Sequence, residues 1–340
     1  MIVPRDNHTA TLLADGRVLV AGGLTQMGAD FPTTATCEIY DPATNSWAFT
    51  GTLHEARENH AAILLADGRV LVAGGVSDAA LPLKSSEVYN PATGKWLQAA
   101  PMLTLRKSPK LALLPDGQVL VAGGNGRDLD YCERFNPDTG KWTDTGDLIV
   151  GRRTYEMTRL DDGRVVLAGG NLSIPPVSLR TDSETYDPAT GTWSEVGRLI
   201  PGRDQHEQVR LADGRVLAAG GFLGPASAET VTRICDTFDP AANTWTLTHP
   251  LVVPRVYFTA DLLPDGNVFA VGGSDDGEEA LASIEEFEPL AGRWHLLDLT
   301  LEHPRFLHTA TTLLDGSVLI AGGISNEKII AEAEIFFTPK

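Results

Sequence analysis

Short apolar runs separated by turn residues fill the chain, and one arrangement of them keeps returning. Leu-Ala-Asp-Gly-Arg-Val-Leu-Val-Ala-Gly-Gly at 13–23 recurs at 65–75, and weaker copies end in glycine pairs at 123–124, 169–170, 220–221, 272–273 and 322–323. The seven pairs stand 46 to 52 residues apart, a period that belongs to repeat architectures. Within a unit, Asp-Gly between two apolar runs predicts a β-hairpin with a type I′ turn, which needs positive φ at both central residues. Val-Leu-Val-Ala has no polar break, so the second strand is expected to be buried on both faces. The glycines that follow leave room where a side chain would meet a neighbouring backbone. Asp-Pro or Asn-Pro then marks another tight turn, between an aromatic strand and a tryptophan strand. No useful length of chain carries a helical period. Four short strands cannot cover their own faces, so each unit must stack on copies of itself, and a closed ring leaves few edges.

Each unit carries the same marks in order. An arginine opens it (Arg5, Arg57, Arg106, Arg153, Arg203, Arg255, Arg305), and the Asp-Gly and the glycine pair follow. An acidic residue with an aromatic two later comes next, from Glu38/Tyr40 in the first unit to Glu334/Phe336 in the seventh. Six units add a tryptophan: Trp47, Trp96, Trp142, Trp193, Trp245 and Trp294. A glycine pair, an acidic-x-aromatic and a tryptophan at a period of about 50 resemble the kelch repeat. The resemblance covers nearly the whole chain. It implies an all-β, seven-bladed β-propeller in one domain, with repeats at about 5–56, 57–105, 106–152, 153–202, 203–254, 255–304 and 305–340. The seventh unit reaches Phe336 and Pro339 without an outer tryptophan strand, while Met1-Ile-Val-Pro-Arg5 matches Leu251-Val-Val-Pro-Arg255. Two readings follow: a chain trimmed at its ends, with any signal sequence trimmed too, or a three-stranded seventh blade with an open edge. The first is favoured. Propellers of this kind include galactose-oxidase-like enzymes, a sialic-acid epimerase, plant specifier proteins and many adaptor modules, so the fold does not by itself give the function.

Composition narrows the partners. With 27 basic against 45 acidic residues the formal charge is −18, which argues against nucleic acid and anionic membranes as ligands. No apolar stretch approaches the ~20 residues of a spanning helix, so membrane insertion is not expected. Hydrophobic residues at 42% and charged residues at 21% fit a globular chain, and 34 glycines with 21 prolines fit one rich in turns. No targeting signal opens the chain, and the compartment stays open. Cys37, Cys132 and Cys235 fall at one register position in blades one, three and five. They read as small buried packing residues rather than a metal set or a disulfide.

Candidate chemistry is read around the ring. The resemblance implies ligand binding at the mouth of the central channel, built from the residues after the opening arginine and the residue after the glycine pair. The first position supplies Asn7, Glu58, Asn59, Lys107, Asp204, Tyr257 and Phe306; the second supplies Leu24, Val76, Asn125, Asn171, Phe222, Ser274 and Ile324. Polar groups on one side and aromatic anchors on the other are what a small molecule or peptide requires. The recurrent arginines read first as blade-to-blade ties to the acidic mark, and second as carboxylate clamps. His8, His60, His206 and His308 lie three after an arginine. Of these, His8, His60 and His308 belong to adjacent blades and are a weak candidate for a His₃ metal site, with packing the favoured reading. No copper set of paired tyrosines and histidines is apparent, no Glu-x-x-x-Asp-x-x-x-His pattern occurs, and no cofactor is expected. Glu156 stands where other units place histidine, flanked by Tyr155 and Arg152. The three together would give a base, an acid and an anion clamp to a cofactor-independent isomerase, lyase or cyclase. The long loops Leu24–Cys37 and Phe222–Cys235, with Met27, Phe31, Leu223 and Pro225, are expected to form a partial lid. The leading reading is a recognition module for a small molecule or peptide, compatible with a protein partner. An enzyme using the same mouth is the alternative, and a structural or adhesive secreted propeller the third.

Overall fold

Every repeat forms one antiparallel sheet with its strands in chain order. The computed structural model describes residues 1–27, 32–124, 129–172, 179–224 and 230–337. In the first blade the strands are Thr9–Leu12, Val18–Ala21, Cys37–Asp41 and Ser46–Phe49. Five further four-stranded sheets repeat that plan, and the seventh, Thr309–Thr312, Val318–Ala321 and Ala333–Phe336, has three strands among the described residues. The architecture is a seven-bladed β-propeller, and no helix occurs among the described residues. Two compact units divide it. Met1–Asp128, Cys132–Asp144 and Leu307–Lys340 hold blades one, two, three and seven; Leu129–Tyr131 and Thr145–Phe306 hold blades four, five and six.

The core follows the sequence pattern closely. All four residues of the second strand are buried in every blade, as the unbroken apolar runs require. The aromatic of the third strand lies opposite the tryptophan of the fourth, and the rings tilt together at 5.0 Å in Tyr40–Trp47 and 5.2 Å in Phe287–Trp294. Cys37, Cys132 and Cys235 are buried free thiols. Burial pushes Cys37 and Cys235 up to about 12, which leaves them inert.

The Asp-Gly hairpins differ from the type I′ expectation. In blade one the Gly16 N–H donates to Leu13 O at 3.0 Å and the Leu13 N–H to Arg17 O at 2.8 Å. Gly16 adopts φ 87°, whereas Asp15 is not left-handed. Three residues therefore turn the chain, with only the last requiring glycine. Asp15 keeps an ordinary conformation and uses Oδ1 to accept the Arg17 N–H at 3.1 Å.

The glycine pair stitches blades together. Its second member donates N–H to the carbonyl of the arginine that opens the next blade: Gly23 to Arg57 at 2.8 Å and Gly75 to Arg106 at 2.9 Å in the first unit, Gly170 to Arg203 at 2.9 Å and Gly221 to Arg255 at 2.8 Å in the second. Gly22 has φ 64°, and a Cβ there would sit 2.5 Å from Arg57 O and 2.7 Å from His60 Cε1. Gly22→Ala is therefore expected to cost about 3 kcal/mol or more. Urea denaturation checks this, and a loss below about 1 kcal/mol would show that the blades relax without penalty.

Blade four corrects the reading of the opening arginine. Six arginines precede the first glycine of their pair by 17 residues, and Arg152, not Arg153, keeps that spacing to Gly169. Arg152 is fully buried and donates to Gly169 O at 3.1 Å, as Arg5 does to Gly22 O at 2.7 Å. The fourth repeat opens at Arg152. Arg153 moves to the register of Asp6, Glu58, Lys107 and Asp204, and Tyr155, not Glu156, takes the place of the histidine.

Candidate functional site

A buried ion pair frames the opening turn of blades one to six. Arg5 donates to Glu38 Oε1 at 2.7 Å, and Glu38 also accepts the N–H groups of Ile2 and Val3 at 2.6 and 3.0 Å. Arg57–Glu87, Arg106–Glu133, Arg152–Glu184, Arg203–Asp236 and Arg255–Glu285 repeat the pair at 2.6 to 3.0 Å. Each joins the segment opening a blade to the third strand of that same sheet, so the tie lies within a blade rather than between blades. None of these guanidinium groups reaches solvent, and they hold the following residues instead of clamping a ligand.

Two positions after the arginine the backbone turns left-handed in all seven blades, at Asn7, Asn59, Ser108, Thr154, Gln205, Tyr257 and Leu307, with φ between 49° and 56°. These residues are also linked along the ring. Asn59 N–H donates to Asn7 O at 3.0 Å and Ser108 N–H to Asn59 O at 2.9 Å in the first unit, and Gln205 N–H donates to Thr154 O at 3.1 Å in the second. The preceding residue pairs with the residue after the glycine pair, as in Asp6 with Leu24, Glu58 with Val76, Arg153 with Asn171, Asp204 with Phe222 and Val256 with Ser274. The two sequence positions expected at the mouth are thus physically one ledge in each of these blades.

In the first unit this ledge pairs acidic residues with apolar ones. Asp6 is 3% exposed beside its bridge partner, buried Leu24, and its Oδ1 has no hydrogen-bond partner. Burial, and then the Glu58 carboxylate, push the Asp6 carboxyl up to about 7. Glu58, bridged to buried Val76, accepts from Asn59 Nδ2 at 3.0 Å; its carboxyl is raised by burial while Lys107 pulls it the other way. Ile324 is buried in a two-residue ribbon, Ile324–Ser325 against Lys328–Ile329. Asn125 lies outside the described residues.

The second unit carries a polar network and an aromatic group. Arg153 Nε donates to Asn171 Oδ1 at 2.9 Å, Asn171 Nδ2 donates to Thr154 Oγ1 at 2.9 Å and also to Asp204, and Thr154 Oγ1 donates to Asp204 Oδ2 at 3.2 Å. Burial raises the Asp204 carboxyl against these donors. Phe222 meets Tyr257 edge-on at 5.7 Å, and Tyr257 meets Phe306 at 6.1 Å. Phe222 is buried while Tyr257 and Phe306 are half-buried. Ser274 is fully buried and holds Asp276 and the Gly277 N–H. Leu223 pairs with Thr230 in a short ribbon, Met27 is half exposed, and Phe31 and Pro225 lie outside the described residues.

The remaining candidates are built into the frame. His8 Nε2 lies 3.0 Å from Thr309 Oγ1 and His60 Nε2 2.9 Å from Thr9 Oγ1, so each imidazole bonds a threonine of the preceding blade. Burial holds His8 well below its ordinary value and His60 down at about 3, which keeps both neutral. His308 is buried too, and among the described residues no three His, Cys, Asp or Glu side chains gather as a metal-binding group. Arg152 is spent on Glu184, Asp182 and Gly169, Tyr155 is 1% exposed beneath Gly170, and Glu156 opens the inner strand opposite Ala168. Base, acid and clamp are therefore not presented together. Sequence reasoning missed Arg153 through the register slip. It also missed Asp261, on the inner strand opposite Phe269, whose carboxyl burial pushes up to about 7.

Comparisons with known proteins agree with the repeat. The Kelch motif matches residues 59–103. Kelch-like protein 35 of Mus musculus is 29% identical over 137 residues, covering 40% of this chain and 22% of that protein. An F-box/kelch-repeat protein of Arabidopsis thaliana is 25% identical over 138 residues, covering 39% and 33%. The chain thus spans a third or less of the length of these relatives. Among solved structures, a fungal alcohol oxidase of the AA5 family, in complex with copper, superposes with a TM-score of 0.76 at 20% identity, over 96% of this chain and 73% of the other. That likeness concerns the fold alone. Seven glycine-pair units, the sheet each one forms and these matches of motif and fold support a kelch-repeat β-propeller.

Proposed function

We propose that the protein is a recognition module that takes a small molecule or a peptide at the mouth of its propeller channel. The observation that carries this reading is the contrast between an unvarying frame and a varied ledge. The buried arginine, the left-handed residue and the glycine stitch recur from blade to blade, whereas the side chains they hold run from Asp6 and Glu58 to Val256 and Phe306. A rigid scaffold presenting diverse groups on short turns is the usual construction of a binding surface. Half-buried Tyr257 and Phe306 supply the rigid aromatic surface that dominates such contacts.

The test is a thermal-shift screen of metabolites and peptides on the protein and on a Tyr257→Ala/Phe306→Ala variant. Ligand at ~100 times its Kd stabilises by about 2.7 kcal/mol, and truncating an aromatic anchor costs about 2 kcal/mol of affinity. Shifts that vanish in the variant are the expected result for ligands seated on the aromatics. Hits indifferent both to these aromatics and to the acidic ledge of blades one and two, or no hit among small molecules and peptides, would sink the reading.

A further inference from the structure

The acidic ledge of blades one and two points to a more specific ligand, an inference that rests on the recognition reading above. We infer that Asp6 and Glu58 form a seat for an organic cation, a primary ammonium or guanidinium group carried by a small amine or by a lysine or arginine side chain. The two carboxylates occupy the same register position in adjacent blades, one residue after the buried arginine. They are close enough for Glu58 to act electrostatically on Asp6.

Asp6 is the observation that demands a ligand. Its side chain is 3% exposed, and its buried Oδ1 accepts nothing, although a buried carboxylate oxygen left unpaired is costly. Charges of its own segment are turned elsewhere: Arg5 is committed to Glu38 and Gly22, and His8 to Thr309. Across the ledge the charged groups are Glu58 and, beyond it, Lys107, which acts on Glu58. Lys107 thus draws on the outer carboxylate without pairing with it, while no cation acts on the inner one. Leu24 and Val76, the bridge partners of the two acids, set apolar side chains beside them that suit the alkyl stem of a ligand. The backbone link from Asn59 to Asn7 holds the two turns at fixed separation. A net charge of −18 draws cations toward the protein. An organic cation fits better than a metal ion, because no third acidic, histidine or cysteine ligand joins the pair among the described residues.

Calorimetric titration tests this with n-butylammonium, agmatine and acetyl-Gly-Lys-Gly-amide as probes, and n-butanol and acetate as controls. The cations are expected to bind, and butanol and acetate to fail. Asp6→Asn and Glu58→Gln should each weaken binding roughly 30-fold, while Tyr257→Ala, in the other unit, leaves the small amines unaffected. Because Asp6 must lose its proton to pair, affinity should fall by up to about tenfold per unit as pH drops below 7. Butylammonium binding without the peptide would assign the seat to small amines, and peptide binding without butylammonium to a basic side chain in its backbone context; both sustain the inference. It is overturned if the cations do not bind, if Asp6→Asn binds them as well as the parent, or if Mg²⁺ or Ca²⁺ displaces them at equimolar concentration. Neutral or acidic ligands that require Tyr257 but not Asp6 would overturn the cation seat alone and leave the recognition reading standing.

Discussion

Arg255→Met is expected to destabilise the folded protein by about 3–5 kcal/mol, because it leaves Glu285 buried as an uncompensated charge. Arg255 is fully buried and spends its donors on Glu285 Oε1 at 2.8 and 3.1 Å, Gly272 O at 2.8 Å, Ser283 O at 2.9 Å and Ser283 Oγ at 3.0 Å. Its removal therefore also takes a donor from the Gly272 and Ser283 carbonyls, the second of which keeps the Gly272 N–H at 3.2 Å. Glu285 in turn accepts the N–H groups of Val252 and Val253 at 2.6 and 3.0 Å, so the pair fixes the path of the chain into blade six. A second substitution, Glu285→Gln, keeps an acceptor for those amides and removes the stranded charge. The double variant is expected to be more stable than Arg255→Met alone, a coupling that denaturant unfolding of the four proteins measures. If Arg255→Met costs less than about 1 kcal/mol, the buried pairs are not what holds the turns.

Asp6→Asn acts in the opposite direction and should stabilise the protein by up to about 4 kcal/mol at pH 8. The folded carboxyl titrates at about 7 against an ordinary 3.8, so the folded state holds its proton more tightly than the unfolded chain does. Below pH 4 both states are protonated and Asp6 costs nothing. Between pH 4 and 7 the unfolded chain ionises first, and stability drains away as pH rises; above 7 the full penalty remains. Melting curves of the two proteins should therefore converge near pH 4 and separate steadily up to pH 7. Equal separation at all pH values would mean that Asp6 is not buried as its surroundings indicate. A side chain that weakens the fold and is better replaced for stability is the mark of a group kept for binding, which links this prediction to the cation seat.

The division between what is local and what is spatial shows in particular residues. Val18–Ala21 and its six counterparts were readable as doubly buried strands because an apolar run without polar interruption has only one place to go. The pairing of Tyr40 with Trp47 was readable because a tight Asp-Pro turn sets which residues face each other. The Asp15-Gly16 turn was misread in type, since a two-residue and a three-residue hairpin differ only in where the ladder resumes, and composition does not record that. Blade four was misread by one residue although the constant 17-residue step to the glycine pair was present to correct it. Two consecutive arginines look alike in sequence; only burial against Glu184 separates Arg152 from Arg153.

The number of units, their strands and the core were legible along the chain, because each depends on short-range periodicity and turn residues repeated seven times. Which displayed groups are committed and which remain available was decided only by the tertiary structure. Asp6, Glu58 and Asp204 share a position and an acidic side chain, yet Asn171 and Thr154 engage Asp204 through Oδ2 while its Oδ1 stays unpaired, Asn59 donates to Glu58, and no side chain of the described residues donates to Asp6. The partners of a charge come from adjacent blades some 50 residues away, and burial and hydrogen bonding across that gap set its energy.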